Sequence, residues 1–225
     1  MQPKDVQRVV DSHVPEIVDQ LNTHRVTSEQ LVAIFGLRAA TIGKDYCMIT
    51  EDYFEYALKA AIKCDQDRRQ SGKPNWTIGQ EWDMQKFLPP LFGVPVSVKD
   101  NIEMEGTVSS FGLIARSNIP IPDDSPMVVC LKHSGMIPFV KTTLPQYGFS
   151  FESLSKVWGR CLNPWNENKT PGGSSSGEAA AVAARVSPIG FGNDMAGSLR
   201  IPAHCCGVYG FMVGVNRFPK LNAFT

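Results

Sequence analysis

No sign of charge dominates this sequence: 22 Lys+Arg stand against 22 Asp+Glu. Without a net field nothing draws the chain to nucleic acid or to an anionic membrane, so a nucleic-acid partner is excluded and any ligand must be recognised locally. Cysteine is sparse. Cys47, Cys64, Cys130, Cys161, Cys205 and Cys206 contain no C-x-x-C pair, which excludes a disulfide-stapled domain, and the adjacent Cys205-Cys206 beside His204 lacks the spacing of a zinc module. No apolar run approaches the roughly 18 residues that a membrane-spanning helix needs. The opening MQPKDVQRVVDSH has no apolar secretion segment. These absences predict a cytoplasmic protein with reduced thiols, and nothing implies a metal or cofactor.

What is present fits one globular domain: 225 residues, 43% of them hydrophobic. Val6, Val9, Val10, Val14, Ile17, Val18 and Leu21 recur at helical spacing, and Thr27 and Ser28 are N-cap candidates for a second apolar run from Leu31 to Ile42. A third amphipathic stretch runs from about Asp52 to Arg69, before loop signals at SGKPN and Pro89-Pro90. Residues 1–90 therefore read as a helical segment wrapping a core built later. From Leu91 the texture changes. LFGVPVSVK and MIPFVK read as strands around a helix from Ser125 to His133, closed by Gly135. A Gly/Ser turn at 172–177 then opens the helix EAAAVAARV, followed by strand-like PIGFG, a short helix near Ser198 to Cys206, and VYGFMVGV. The final NRFPKLNAFT has no clear element. Residues 91–225 thus follow α/β grammar, with a mixed β-sheet core flanked by helices.

The chemistry concentrates where small residues gather at two turns, GGSSSG and DMAGS, each offering serine hydroxyls at the start of a helix. Helix N-termini carry unpaired N–H groups and a positive dipole end, so a nucleophile there sits close to amides that stabilise an oxyanion. A bare GGSSSG is also satisfied by an ordinary N-cap and linker. It formally contains G-x-S-x-G as well, which would make Ser175 the nucleophile of an elbow, but the preceding NPWNENKTPG is polar loop rather than the strand an elbow requires.

The whole pattern resembles the amidase signature family, in which a Gly-Gly-Ser-Ser-Gly turn precedes an Asp-x-Gly-Gly-Ser turn. Within it, GVPVSVKD, IPFVKTTLPQYGFSF and LNPWNENKTPGGSSSGEAA are most similar to animal fatty acid amide hydrolases, over roughly Leu91 to Pro219. The transamidosome A subunits carry similar turns. The resemblance implies Ser198 as nucleophile, Ser174 as bridging serine preceded by a cis peptide bond, and Lys99 as base. It implies an oxyanion cradle from the amides of Met195, Ala196, Gly197 and Ser198, where one donor is worth about 3–4 kcal/mol of barrier. Asp194 and Arg200 are then organisers of the nucleophile turn, Gly173 eases the bridging turn, and Ser175 donates to the lysine or to the turn. A buried lysine can serve as base because desolvation lowers its ordinary pKa of about 10.4 by several units. Two residues depart from the pattern: Ser176 and Ala196 stand where glycine is usual. The alanine is harmless to the donor only if its φ is negative.

The expected activity is hydrolysis of a small-molecule amide, lipid-like in the sense of a fatty acid amide, through an acyl-enzyme. Family members continue well past residue 225, so the fold is expected to be cut short after the nucleophile region. That gives the second reading, an amidase fragment with weak or no activity that acts through a partner or as a homodimer. Contact with a membrane surface is expected only of a longer form.

Overall fold

The computed structural model describes residues 2–214 and 217. The first helical run is divided into α1 (Pro3–Asp11) and α2 (Val14–Asn22). Pro15 has no N–H to give the Asp11 carbonyl, so one continuous helix cannot pass this point. Helix α3 (Ser28–Arg38) starts where expected: Thr27 Oγ1 accepts from the Gln30 amide at 3.1 Å and Gln30 Oε1 accepts from the Thr27 amide at 3.1 Å. These two reciprocal bonds form a capping box. A π-helical turn at Ala39–Gly43 follows, then strand β1 (Ile49–Asp52) and helix α4 (Phe54–Ser71), closed by Gly72 at φ 64°.

Strand β2 (Pro95–Lys99), helix α5 (Pro126–His133) and strand β3 (Ile137–Thr142) come next. A small hairpin, β4 (Leu154–Ser155) with β5 (Gly159–Arg160), leads into α6 (Ser176–Ala183), β6 (Gly190–Phe191) and α7 (Arg200–Cys206). The main sheet has the order β1-β3-β2-β6, with β1 antiparallel to β3 and the remaining pairs parallel. It is a mixed sheet flanked by helices, as expected. Strand β1 was not anticipated among the N-terminal helices. Its four residues, ITED, alternate too briefly to stand out from the helical stretch they adjoin. VYGFMVGV forms no helix or strand over 208–214, and of NRFPKLNAFT all but Arg217 lies outside the described residues.

Alternation along β2 positions the site. Val96 and Val98 pack with Ile102, Met104, Met127, Val128 and Leu131 on one side of the sheet. Ser97 and Lys99 must therefore face the opposite side, toward α6. There a second cluster joins α1 to α4 with Ile137, Phe139 and Val140 of β3 and Ala179 to Ala181 of α6. Helix α6 comes very close to the sheet because Gly177 has no side chain: a Cβ there would lie 2.5 Å from both the Met48 carbonyl and the Thr143 amide.

Candidate active site

Lys99, Ser174 and Ser198 form a continuous hydrogen-bonded chain. Lys99 Nζ donates to Ser174 Oγ at 2.8 Å, and Ser174 Oγ donates to Ser198 Oγ at 3.0 Å. Lys99 is fully buried at the end of β2, Ser174 is 4% exposed, and Ser198 opens partly to solvent. The Gly173–Ser174 peptide bond is cis. Burial lowers the Lys99 pKa from 10.5 to about 7, opposed by the negative charges of Glu178, Asp194 and Asp100. At neutral pH a substantial fraction of this amine is therefore uncharged and has a lone pair to offer.

The turn at 193–199 is organised by Asp194. Its side chain is completely enclosed and accepts the amides of Gly197 at 2.6 Å, Leu199 at 3.1 Å and Arg200 at 3.3 Å. Arg200 adds Nε to Oδ2 at 2.9 Å and Nη2 to Oδ1 at 3.0 Å. The Arg200 guanidinium first, and the backbone donors with it, hold this carboxyl far below the usual carboxylate range. Asp194 and Arg200 are thus paired across the turn.

The expected oxyanion cradle needs one correction, because the Gly197 N–H is given to Asp194 and not to the open side of the turn. Among the described residues no hydrogen bond reaches the amides of Met195, Ala196 or Ser198. The positive φ of this turn falls on Gly197, at 114°, and not on Ala196, so alanine occupies its position without left-handed backbone. Ser198 also does not cap the following helix. Leu199 is the N-cap of α7, and the Ser198 carbonyl instead accepts the Ser175 amide at 3.0 Å, tying the two serine turns together.

Ser175 is 1% exposed, and its Oγ donates to the Asn193 carbonyl at 3.4 Å, which is contact with the turn and not with the lysine. His204, the only histidine that follows it, is exposed on α7 and makes no hydrogen bond to Ser175 among the described residues. The other departure, Ser176, is fully buried with its hydroxyl 2.5 Å from that of Ser153. Gly173 packs on the backbone of Ser150 and Phe151, against which any side chain would collide.

Several residues of this site were not singled out from the sequence. Asn193 Oδ1 accepts a second Lys99 hydrogen bond at 2.7 Å. Glu178 on α6 is 4% exposed, accepting from Ser97 Oγ at 2.5 Å and Thr142 Oγ1 at 2.7 Å, and burial raises its pKa to about 7. A second buried lysine, Lys141, donates to the carbonyls of Asp100 and Ile102 and to Ser109 Oγ, fixing the chain that leaves β2. The signal for these was present: a lysine inside an otherwise apolar strand, and a glutamate at the start of an alanine-rich helix, are buried charges that need partners.

A lysine below its usual pKa, hydrogen-bonded through one buried hydroxyl to a second that meets solvent, is an arrangement in which a neutral amine can draw a proton from the outer hydroxyl by way of the inner one. The family pattern described as Amidase matches residues 50–223, and the chain belongs to the amidase family. It is 32% identical over 212 residues to an amidase of Gibberella zeae, covering 94% of this chain and 36% of that protein. It is 42% identical over 130 residues to fatty-acid amide hydrolase 1 of Sus scrofa, covering 58% of this chain and 22% of that protein. A solved fatty acid amide hydrolase superposes with a TM-score of 0.78 at 25% identity, covering 90% of this chain and 33% of that one. The chain thus spans about a third of the length of relatives it matches along most of its own. No described helix is long and apolar enough to cross a membrane.

Proposed function

We propose that this chain carries the nucleophile, relay and base of an amide hydrolase, with Ser198 attacking the substrate carbonyl carbon, Ser174 bridging and Lys99 accepting the proton. The observation that carries this reading is the unbroken Lys99–Ser174–Ser198 chain, ending in a lysine lowered to about 7. As Ser198 Oγ bonds to carbon, its proton passes to Ser174 Oγ while the Ser174 proton passes to Lys99 Nζ. This needs both hydroxyls to rotate from the donor arrangement above, which costs little for a serine. Asn193 keeps an N–H of the neutral amine engaged, so the lone pair points at Ser174. Collapse reverses the relay: the proton returns to the leaving nitrogen as the C–N bond breaks, and water then releases the acyl group from Ser198. The free amides of Met195, Ala196 and Ser198 cradle the developing oxyanion.

A lipid-like amide is the substrate class supported best. Phe149 is 79% exposed and Phe151 58% exposed, in the segment whose backbone packs on Gly173 beside the bridging serine, and Met195 at the nucleophile turn is 82% exposed. These side chains would be covered by an acyl chain or by further protein. The alternative, an amidase piece that is weak by itself, is favoured by the short β6 edge, where only Ser97↔Gly190 and Val98↔Phe191 pair.

The test is acylation by a fluorophosphonate as a function of pH. The rate is expected to fall as pH drops through about 7, following Lys99. Lys99→Ala and Ser174→Ala should each lose most of the rate while remaining folded. A Lys99→Ala chain that acylates like wild type across neutral pH contradicts the relay. Oleamide turnover by this chain and by a form extended over the rest of the family's length then separates the enzyme reading from the fragment reading.

A further inference from the structure

Glu178 is not in the relay, yet the surroundings are built around it. It belongs to the first turn of α6, which Gly177 brings against β3, and its two carboxyl oxygens are each taken by a hydroxyl. One is Ser97, two residues before Lys99 on the same face of β2, and the other is Thr142, the residue paired with Lys99 across the β2–β3 ladder. On the far side Gly190 leaves the space: a Cβ there would collide with the Glu178 carboxylate. Three residues from three strands thus accommodate one buried acid. No ion pair joins it to Lys99 within 4.0 Å among the described residues.

We propose that Glu178 is a positioning residue that sets the protonation of Lys99: Ser97 and Thr142 hold its carboxyl near the amine but out of contact with it. This rests on the relay reading of Lys99. Direct pairing would lock the lysine as an ammonium ion with no lone pair for Ser174. Removing the charge altogether would leave the amine neutral over a wider range. The charged groups that face this pair are Asp100 in the turn just after β2, Lys141 on β3 and Asp194 on the nucleophile turn, and they stay in place in the variants below. Glu178 is the largest of the negative influences on Lys99.

The experiment titrates Lys99 directly, by carbon NMR of the chain labelled at lysine Cε, with the signal assigned by its loss in Lys99→Ala. Glu178→Gln is expected to lower the Lys99 midpoint, by less than a fully ionised neighbour would, because burial raises Glu178 itself to about 7 and it is only partly charged where Lys99 titrates. Thr142→Val and Ser97→Ala each free one carboxyl oxygen and remove a hydrogen bond that favours the ionised carboxylate, and each is expected to shift the midpoint. The acid limb of the fluorophosphonate rate should move in the same directions. An unchanged Lys99 midpoint in Glu178→Gln overturns the proposal, as does a rate lowered equally at every pH with the midpoint in place. Should Glu178→Gln fail to fold, unmoved midpoints in both hydroxyl variants overturn it equally. Lys99→Ala acylating like wild type would refute the relay instead, while the titration still reports on Glu178, so the two failures are distinct.

Discussion

Replacing Lys99 by methionine should stabilise the fold while abolishing acylation. Methionine keeps most of the stem's volume and removes the amine. Lys99 is fully buried and its pKa falls from 10.5 to about 7, with burial as the largest cause. Between those two pH values the unfolded chain binds more protons than the folded one, so stability rises with pH through this window. Below about 7 the folded chain bears the whole cost. At about 1.4 kcal/mol per pH unit the gap amounts to about 4–5 kcal/mol. Against this stand the lost hydrogen bonds to Ser174 and Asn193, about 1 kcal/mol each, the attraction to Glu178 being already contained in the lowered pKa. The net expectation is a gain of about 2 kcal/mol at pH 7 that fades toward pH 10. Urea unfolding followed by circular dichroism reads it: with a slope of about 2 kcal/mol per molar, the Lys99→Met midpoint moves up by about 1 M at pH 7. A variant less stable than wild type at pH 7, or one with the same gain at pH 7 and 9.5, refutes the reasoning.

Gly197→Ala places a Cβ 2.6 Å from Ile201 Cδ1 at a φ of 114°, so the fluorophosphonate rate should drop at least about tenfold, the effect of 1–3 kcal/mol of strain. Ala196→Gly relieves no left-handed backbone and should leave that rate within about twofold. Asp194→Asn removes a charge that three amides and Arg200 share, and thermal or urea unfolding should show a loss of about 1–3 kcal/mol at pH 7. Because the folded Asp194 pKa is depressed, that difference is present above the ordinary aspartate range and disappears as pH falls through the folded value.

Fold class was legible because the strongest patterns are local: PVSVK and IPFVKT are short apolar runs bounded by turn residues, and Thr27 with Gln30 spells a capping box. The division between α1 and α2 could have been read from Pro15, but an unbroken valine periodicity on either side obscured it. Strand β1 is recognisable only through its pairing with β3, which lies some ninety residues later in the chain and leaves no trace in a local window. In the site, spacing of GGSSSG and DMAGS marked the two turns, whereas Asn193, which accepts from Lys99, and Glu178, held by Ser97 and Thr142, come from parts of the chain far from the strand that carries the lysine. Such convergence is a property of packing. The commitment of the Gly197 amide to Asp194 was likewise hidden, because a motif names which residues share a turn and not which way each N–H points.

Peptide mapping of the fluorophosphonate adduct tests the central claim most directly. The reading predicts one phosphonyl group per folded chain, carried by the peptide that contains Ser198, absent in Ser198→Ala and retained in Ser175→Ala. An adduct on Ser175, or a folded chain that takes up no label at all, would contradict it.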